Sequence, residues 1–545
     1  MDAEWFRHCL IYQIDPSLFR DSDADGCGDL GGIVERLDYL RDLGVGALWL
    51  MPLYRSPFRD AGYDVSDHLA LDPRFGSEED LRRLVSEAGA RGMRVILELV
   101  VQHTSDQHPW FVSARHDREA PCRDYYLWAD RPHEDGNRPI FPSVEDSIWS
   151  WDAQAGQYYR HLFYSHEPDL DLKNLRVIEE IERIMSHWLD LGVAGFRLDA
   201  ASHLVEQAGG GDERHGAWLL ERLARHAPQA LLMGEVDVEP ERYRHYFGGG
   251  GGGGGGDGDG RRLGLVLDFW INNHLFLALA RQDAAPLRHA LVRQPVPAPG
   301  CGYALWLRNH DELDLERLSD AEREEVMRAF APEEEMRLYG RGIRRRLAPM
   351  LGGDPRRQAM AYALLLSLPG TPILRYGEEI GMGDDLRRPE RLAVRTPMQW
   401  SAEPNGGFSD APVERLAVAP IDDGPFACSR VSVAAQEKAP DSLLTRVRRL
   451  SRLRAELPET GLGQASLVPS DQPALFAIRH DLGQAPGSLM LVNLAERPVL
   501  ANLGEPDLGA YREILADGDY PAPQGTRVAL SGYGYRWFRR AGSDP

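Results

Sequence analysis

Eight short apolar runs separated by helical stretches, with carboxylates gathered just after several of them, predict an α/β chain whose parallel strands close into a (β/α)8 TIM barrel. A long irregular stretch after the third run predicts a subdomain inserted there. A late change to short strand-like runs predicts a C-terminal all-β sandwich.

The first run is Leu10-Ile-Tyr-Gln-Ile14 and the second is Gly46-Ala-Leu-Trp-Leu-Met51. Between them, Ile33, Leu37, Leu40 and Leu43 recur at helical spacing. Further strands are expected at Arg94–Val101, Val193–Leu198, Ala230–Met233, Leu263–Phe269, Tyr303–Leu307 and Pro372–Tyr376. Helices such as Glu179–Leu191 and Arg356–Leu368 lie between them. The alternative is an open doubly wound sheet, but no G-x-G-x-x-G follows the first strand. Residues 104–166 are rich in Pro, Trp, Asp and His without a clean helical period, and form the expected insert. Beyond Leu457, runs at Leu475–Arg479, Ser488–Asn493, Arg527–Leu530 and Tyr533–Phe538 alternate with Gly/Pro turns. The expected division is therefore a barrel over 1–103 and 167–457, an insert over 104–166 and a β domain over 458–545. The low-complexity tract Gly248–Gly260, eleven glycines broken only by Asp257 and Asp259, reads as a surface loop and not as a phosphate cradle.

Composition narrows the function. A formal charge of −22 over 545 residues argues against nucleic acid or an anionic membrane as partner. No apolar run reaches the roughly 18 residues of a membrane span. The first residues lack a basic segment followed by an apolar one, so no secretory signal is expected. Five scattered cysteines (Cys9, Cys27, Cys122, Cys301 and Cys428) fit reduced thiols and a cytoplasmic protein better than a disulfide framework or a zinc site. Oligomeric state is left open.

Chemistry is expected where barrel strands end. Gly195-Phe-Arg-Leu-Asp199 closes the fourth strand, Met233-Gly-Glu235 the fifth and Leu307-Arg-Asn-His-Asp311 the seventh, while the third runs Glu98-Leu-Val-Val-Gln-His103. Arg197 stands two residues before Asp199, so both face the same side of a strand, and a cation there favours an ionised carboxylate. Glu235 has no basic neighbour in sequence, and proximity to Asp199 raises its pKa, which suits an acid. Cleaving a glycosidic bond with retention needs such a pair about 5–5.5 Å apart, one ionised and one protonated.

These segments, in this order, resemble the four signature regions of the α-amylase superfamily (glycoside hydrolase family 13), closest to its trehalose synthase and oligo-1,6-glucosidase branch. The resemblance runs from about Tyr12 to Trp400. It implies Asp199 as nucleophile, Arg197 as its hydrogen-bonding partner, Glu235 as general acid/base and Asp311 as the acid that grips sugar hydroxyls. It also implies His103 and His310 on the glucose in the −1 subsite. Gly62-Tyr-Asp-Val-Ser-Asp67 resembles the segment in which Tyr63 stacks on that glucose and Asp64 binds its far hydroxyls. Arg395-Thr-Pro-Met-Gln-Trp400 resembles the segment whose arginine joins Asp64 to close the pocket. A pocket closed behind −1 implies action on short α-glucosides such as maltose. Departures from the family pattern fall at Glu98, Gln102, Glu167, Asp171, Val236-Asp-Val238 and Arg375, the last in place of a tyrosine.

Asp21-Ser-Asp-Ala-Asp-Gly-Cys-Gly-Asp29 alternates carboxylates around glycines, which suits a hard oxygen-seeking cation. It resembles the family's calcium or magnesium loop, with Asp21, Asp23, Asp25 and Asp29 as ligands; the alternative is a solvated acidic turn. One structural Ca2+ or Mg2+ and no organic cofactor are expected. The expected function is isomerisation of maltose to trehalose through a covalent glucosyl-enzyme. The alternatives are hydrolysis of short α-glucosides, glucosyl transfer to another acceptor, and a non-catalytic sugar-binding relative.

Overall fold

The computed structural model describes residues 4–133, 136–248, 260–485 and 487–540. Strands β1 (Leu10–Ile14), β2 (Val45–Leu50), β3 (Arg94–Leu99), β4 (Gly195–Leu198), β5 (Leu231–Val236), β6 (Leu265–Asp268), β7 (Gly302–Trp306) and β8 (Thr371–Arg375) close in sequence order into a parallel barrel, β8 pairing with β1. Because side chains alternate along each strand, one set points inward. Ile11, Ala47, Trp49, Ile96, Leu231, Met233, Leu265, Leu267, Ala304, Trp306 and Ile373 fill the interior as one apolar cluster. One step further along the same faces come Gln13, Glu98, Arg197, Glu235 and Arg375, a polar layer at the C-terminal mouth.

Gly195 sets β4 against β5. A Cβ there would stand 2.2 Å from the Leu231 carbonyl oxygen, so only glycine permits the register that places Arg197 beside Met233 and Glu98.

Several elements differ in detail from expectation. The helix expected over Ile33–Leu43 breaks into Leu30–Glu35 and Leu37–Leu43 at Arg36, whose guanidinium lies 4.3 Å from the Trp400 ring centre. The sixth strand stops at Asp268, because that side chain caps the helix Phe269–Arg281 by accepting the Ile271 amide. The segment 104–166 holds a helix, Pro109–His116, capped by His108, and a three-stranded antiparallel sheet (Trp128–Ala129, Gln157–Arg160, Trp149–Asp152). Pro109 at the first helical position favours that start, a signal hidden by the weak apolar period around it.

At the C-terminal end a five-stranded antiparallel sheet is faced by the ribbon Val499–Asn502 with Arg527–Leu530. Leu475, Leu489, Ala501, Val528 and Phe538 pack between the two layers. The opposite face of the sheet, with Phe476, Met490 and Trp537, joins the core around the barrel. Of the Gly248–Gly260 tract, residues 249–259 lie outside the described residues. No helix among the described residues is long and apolar enough to cross a membrane.

Candidate active site

The mouth of the barrel opens into a cavity of about 390 Å3 whose lining includes Tyr63, His103, Asp199, Glu235 and Asp311. At its floor Arg197, 1% exposed, serves three carboxylates. Its Nη1 donates to Asp199 at 2.5 Å and to Glu98 at 3.0 Å, and its Nη2 stands 2.9 Å from Glu235 Oε2. The same Glu235 oxygen accepts the backbone amide of Ala200 at 2.9 Å. Ala200 holds a left-handed conformation (φ 48°, ψ 37°), sparsely populated by residues with a Cβ, and this turns its N–H toward β5.

Burial pushes the Glu235 carboxyl above its ordinary range; Arg197 opposes the rise, and Asp199 and Asp311 add to it. Glu98 is raised to about 7, again by burial first, against the pull of Arg197. One guanidinium facing three carboxylates thus leaves Glu235, raised by burial, suited to hold a proton, while Asp199 is bonded directly to Nη1.

Tyr63 and His310 stack face to face, ring centres 5.5 Å apart and planes 8° from parallel. His310 Nδ1 meets Gln13 Nε2 at 2.7 Å, so its proton sits on Nε2, which faces Asp311 Oδ2 at 2.9 Å and the Tyr63 hydroxyl at 2.7 Å. The Tyr63 hydroxyl in turn donates to Glu98 at 3.0 Å, and the Trp49 indole donates to the same Glu98 oxygen at 2.9 Å. Burial lowers His310 to about 4, so the ring is neutral near pH 7. Burial alone would raise Asp311, but His310, Arg391 and Arg395 hold it well below the usual carboxylate range.

The far end of the pocket is built differently from what the resemblance implies. Asp64, fully buried, does not meet Arg395; it accepts the Ser56 hydroxyl at 2.8 Å and the amides of Arg59 and Asp60 at 3.1 Å each, which shapes the turn before Tyr63. Arg395 instead donates to Asp311 Oδ1 and to the His310 carbonyl, each at 2.9 Å. The pair that closes this end is Asp60 with Arg391: Arg391 reaches Asp60 and Asp311 at 2.9 Å each, and its guanidinium lies 4.6 Å from the ring centre of Phe141 in the inserted segment. Neither Asp60 nor Arg391 carries a motif of its own; both are loop residues brought together only by the fold. His103 lies at the wall, 3.2 Å from the Tyr63 carbonyl and 3.8 Å from Glu167. On the outer side Asp237 faces Arg317 at 3.0 Å, and Arg341 holds Asp314 at 2.6 Å and stands 3.8 Å from Glu312.

In the acidic loop, Asp21, Asp23 and Asp29 offer carboxylate oxygens within 4.8 Å of one another, while Asp25 stands apart, exposed, and caps the Cys27 amide. Asp21 already accepts three loop amides and the Ser409 hydroxyl, and Asp29 caps the helix Leu30–Glu35. Asp23 is raised by burial and by Asp25, Asp29 and Asp21, the crowding of like charges that a cation relieves. Three of the four acids therefore fit a hard cation.

A (β/α)8 barrel with two carboxylates on one arginine and a third acid across the mouth defines a carbohydrate-active barrel enzyme. The chain belongs to the alpha-amylase family, whose catalytic-domain model matches residues 13–233 and 343–461. It is 40% identical over 554 residues to a trehalose synthase of Thermus thermophilus, covering 99% of this chain and 56% of that protein. It is 37% identical over 561 residues to a trehalose synthase of Pimelobacter sp. (strain R48), covering 100% of this chain and 97% of that one. The solved α-amylase of H. orenii superimposes with a TM-score of 0.77 at 26% identity, over 98% of this chain and 99% of that one. The chain thus spans just over half the length of the Thermus relative.

Proposed function

We propose that this chain isomerises maltose to trehalose by a retaining, intramolecular glucosyl transfer. The observation that carries the reading is the sharing of Arg197 by Asp199 and Glu235 at the floor of a cavity whose far end is shut by Asp60, Arg391 and Asp311. Asp199 attacks the anomeric carbon, and Glu235 gives its proton to the departing glycosidic oxygen. The bond breaks to a glucosyl ester and a free glucose. That glucose, turned so that its own anomeric hydroxyl faces the ester, attacks in the second step; Glu235 takes back the proton and Asp199 leaves. Asp311, with Arg395 and neutral His310 behind it, grips the sugar hydroxyls, and Tyr63 provides the ring face. A closed end favours this outcome by limiting water.

Hydrolysis is the second reading, supported by the outer wall: Asp237, a departure from the family pattern, pairs with Arg317 at 3.0 Å, and a loosely held glucose there would let water in. The acidic loop is assigned one Ca2+ or Mg2+, held by Asp21, Asp23 and Asp29, which would tie the loop to the helix Leu30–Glu35. A cytoplasmic location is inferred from five cysteines that form no disulfide.

Product analysis on maltose and separately on trehalose tests the reading. Interconversion of the two sugars, lost in Asp199→Ala, supports it. Glucose as the sole product from both replaces it with hydrolysis, and no turnover of either sugar rejects both.

A further inference from the structure

At the end of the barrel opposite the catalytic mouth, the helix Leu443–Ala455 has two unlike faces. Leu443, Leu444, Val447, Leu450 and Arg454 are buried. Thr445, Arg448, Arg449, Arg452, Leu453 and Glu456 recur at the three- and four-residue spacing of another face and wall a cavity of about 370 Å3. Two contacts fix the helix at that end of the barrel, just before β2 begins at Val45. The Ser451 hydroxyl donates to the Leu43 carbonyl, and Arg452 donates to the Asp42 carbonyl at 2.6 Å.

The facing wall is the strand Tyr511–Ala516, at the edge of the C-terminal sheet. Its pairing with Tyr535–Arg540 slips by one residue between Glu513 and Leu515. Successive side chains of a strand ordinarily point to opposite faces, and an inserted residue breaks that alternation. Ile514 and Leu515 therefore both line the cavity, and with Leu453 they give it an apolar side.

The other side is cationic, in a chain whose formal charge is −22. Arg448 meets Glu437 at 3.3 Å and Arg452 meets Asp42 at 3.4 Å; both carboxylates are half-exposed, so these pairs are weak. Arg448 Nε is buried without a hydrogen-bond partner, and the exposed Arg449 meets no carboxylate among the described residues. Three guanidiniums within five residues thus share the cavity with one lining carboxylate, Glu456, a turn further on. Guanidinium forks match phosphate oxygens two at a time. The negative charge of the whole chain repels a long polyanion, whereas a small one fits a cavity of this size.

We propose that this cavity binds a nucleoside diphosphate, with its phosphates on Arg448, Arg449 and Arg452, its base on Leu453, Ile514 and Leu515, and its ribose hydroxyls on Glu456. The nucleotide ties the helix to the C-terminal sheet on the side away from the sugar chemistry. It is therefore a ligand that stabilises the fold and not a substrate.

The test is calorimetric titration of the full-length protein with ADP, with pyrophosphate and with adenosine, and a melting temperature in the presence of each. ADP is expected to bind and to raise the melting temperature by about 2 °C or more. Pyrophosphate is expected to bind roughly tenfold more weakly, for want of the apolar contact, and adenosine to give no measurable heat. Arg449→Glu is expected to lower the ADP affinity at least about tenfold while leaving the melting temperature without nucleotide unchanged. No binding of ADP by the unaltered protein, or equal affinity in Arg449→Glu, overturns the proposal. Pyrophosphate binding as tightly as ADP also overturns it, since the base then adds nothing. The three titrations of the unaltered protein decide it if Arg449→Glu does not fold.

Discussion

Glu235 takes a hydrogen bond from the backbone amide of Ala200, the residue directly after Asp199. The position of one carboxylate is therefore set by the main chain that carries the other, and the left-handed turn at Ala200 is the device that links them. Glycine adopts that turn without a Cβ penalty and keeps the amide. Ala200→Gly is expected to leave kcat/KM within about threefold and to raise stability by up to about 1 kcal/mol. A loss near 100-fold in steady-state assays would mean that the methyl group, not the amide, sets the geometry.

Glu98 makes stability depend on pH. Its carboxyl lies above its ordinary 4.5, at about 7, so the folded state binds a proton that the unfolded state has released between those values. Stability from this group is fully present below pH 4.5 and is lost as pH rises through about 7; the displacement is worth roughly 3 kcal/mol. Glu98→Gln removes this titration, so the fall in melting temperature from pH 5 to pH 7.5 is expected to be shallower than in the parent. The amide also sets a donor against Arg197 Nη1, and kcat is expected to drop roughly 10- to 100-fold. Parallel melting curves against pH for the two proteins would remove Glu98 as the source.

Most of the barrel was legible because each strand is buried on both faces and so reads as a continuous apolar run, from Leu10–Ile14 to Thr371–Arg375. Asp199, Glu235 and Asp311 were legible because they follow such runs directly. What stayed hidden depends on contacts between loops. Arg391 meets Asp60 across 331 positions, and no local pattern encodes that. The same limit applies to Arg395: its motif implies a role beside Asp64 in closing the pocket, whereas its bond to Asp311 is visible only in the fold. The three-carboxylate sharing of Arg197 was half visible, since the Arg197–Asp199 spacing is local, whereas Glu98 reaches it from the neighbouring strand.

Arg391 is expected to govern how much water enters. Its two ion pairs join the Tyr63 side of the pocket to the acid after β7, and Phe141 lies against its guanidinium. Arg391→Ala leaves Asp60 and Asp311 short of a partner and opens the far end. It is expected to lower kcat/KM on maltose by roughly 10- to 100-fold, the cost of losing charge-assisted hydrogen bonds. The fraction of maltose released as glucose should rise several-fold by chromatography of the products. An unchanged product ratio with a lowered rate would assign Arg391 to binding alone.

The acidic loop separates its own residues by a simple contrast. Asp23 shares close oxygens with Asp21 and Asp29, whereas Asp25 points away. In protein freed of divalent ions with a chelator, restoring Ca2+ should raise the melting temperature by a few degrees, because a ligand bound only by the folded state adds stability with its concentration. Asp23→Asn weakens the cation's hold and is expected to shrink that rise; Asp25→Asn should leave it intact. Calorimetric titration with Ca2+ and with Mg2+ distinguishes the two ions, since the smaller one demands a stricter octahedron than this loop of short acids and glycines supplies. Equal loss in both variants would place Asp25 among the ligands after all, and no response to either ion would leave the loop as a hydrogen-bonded turn whose acids cap backbone amides.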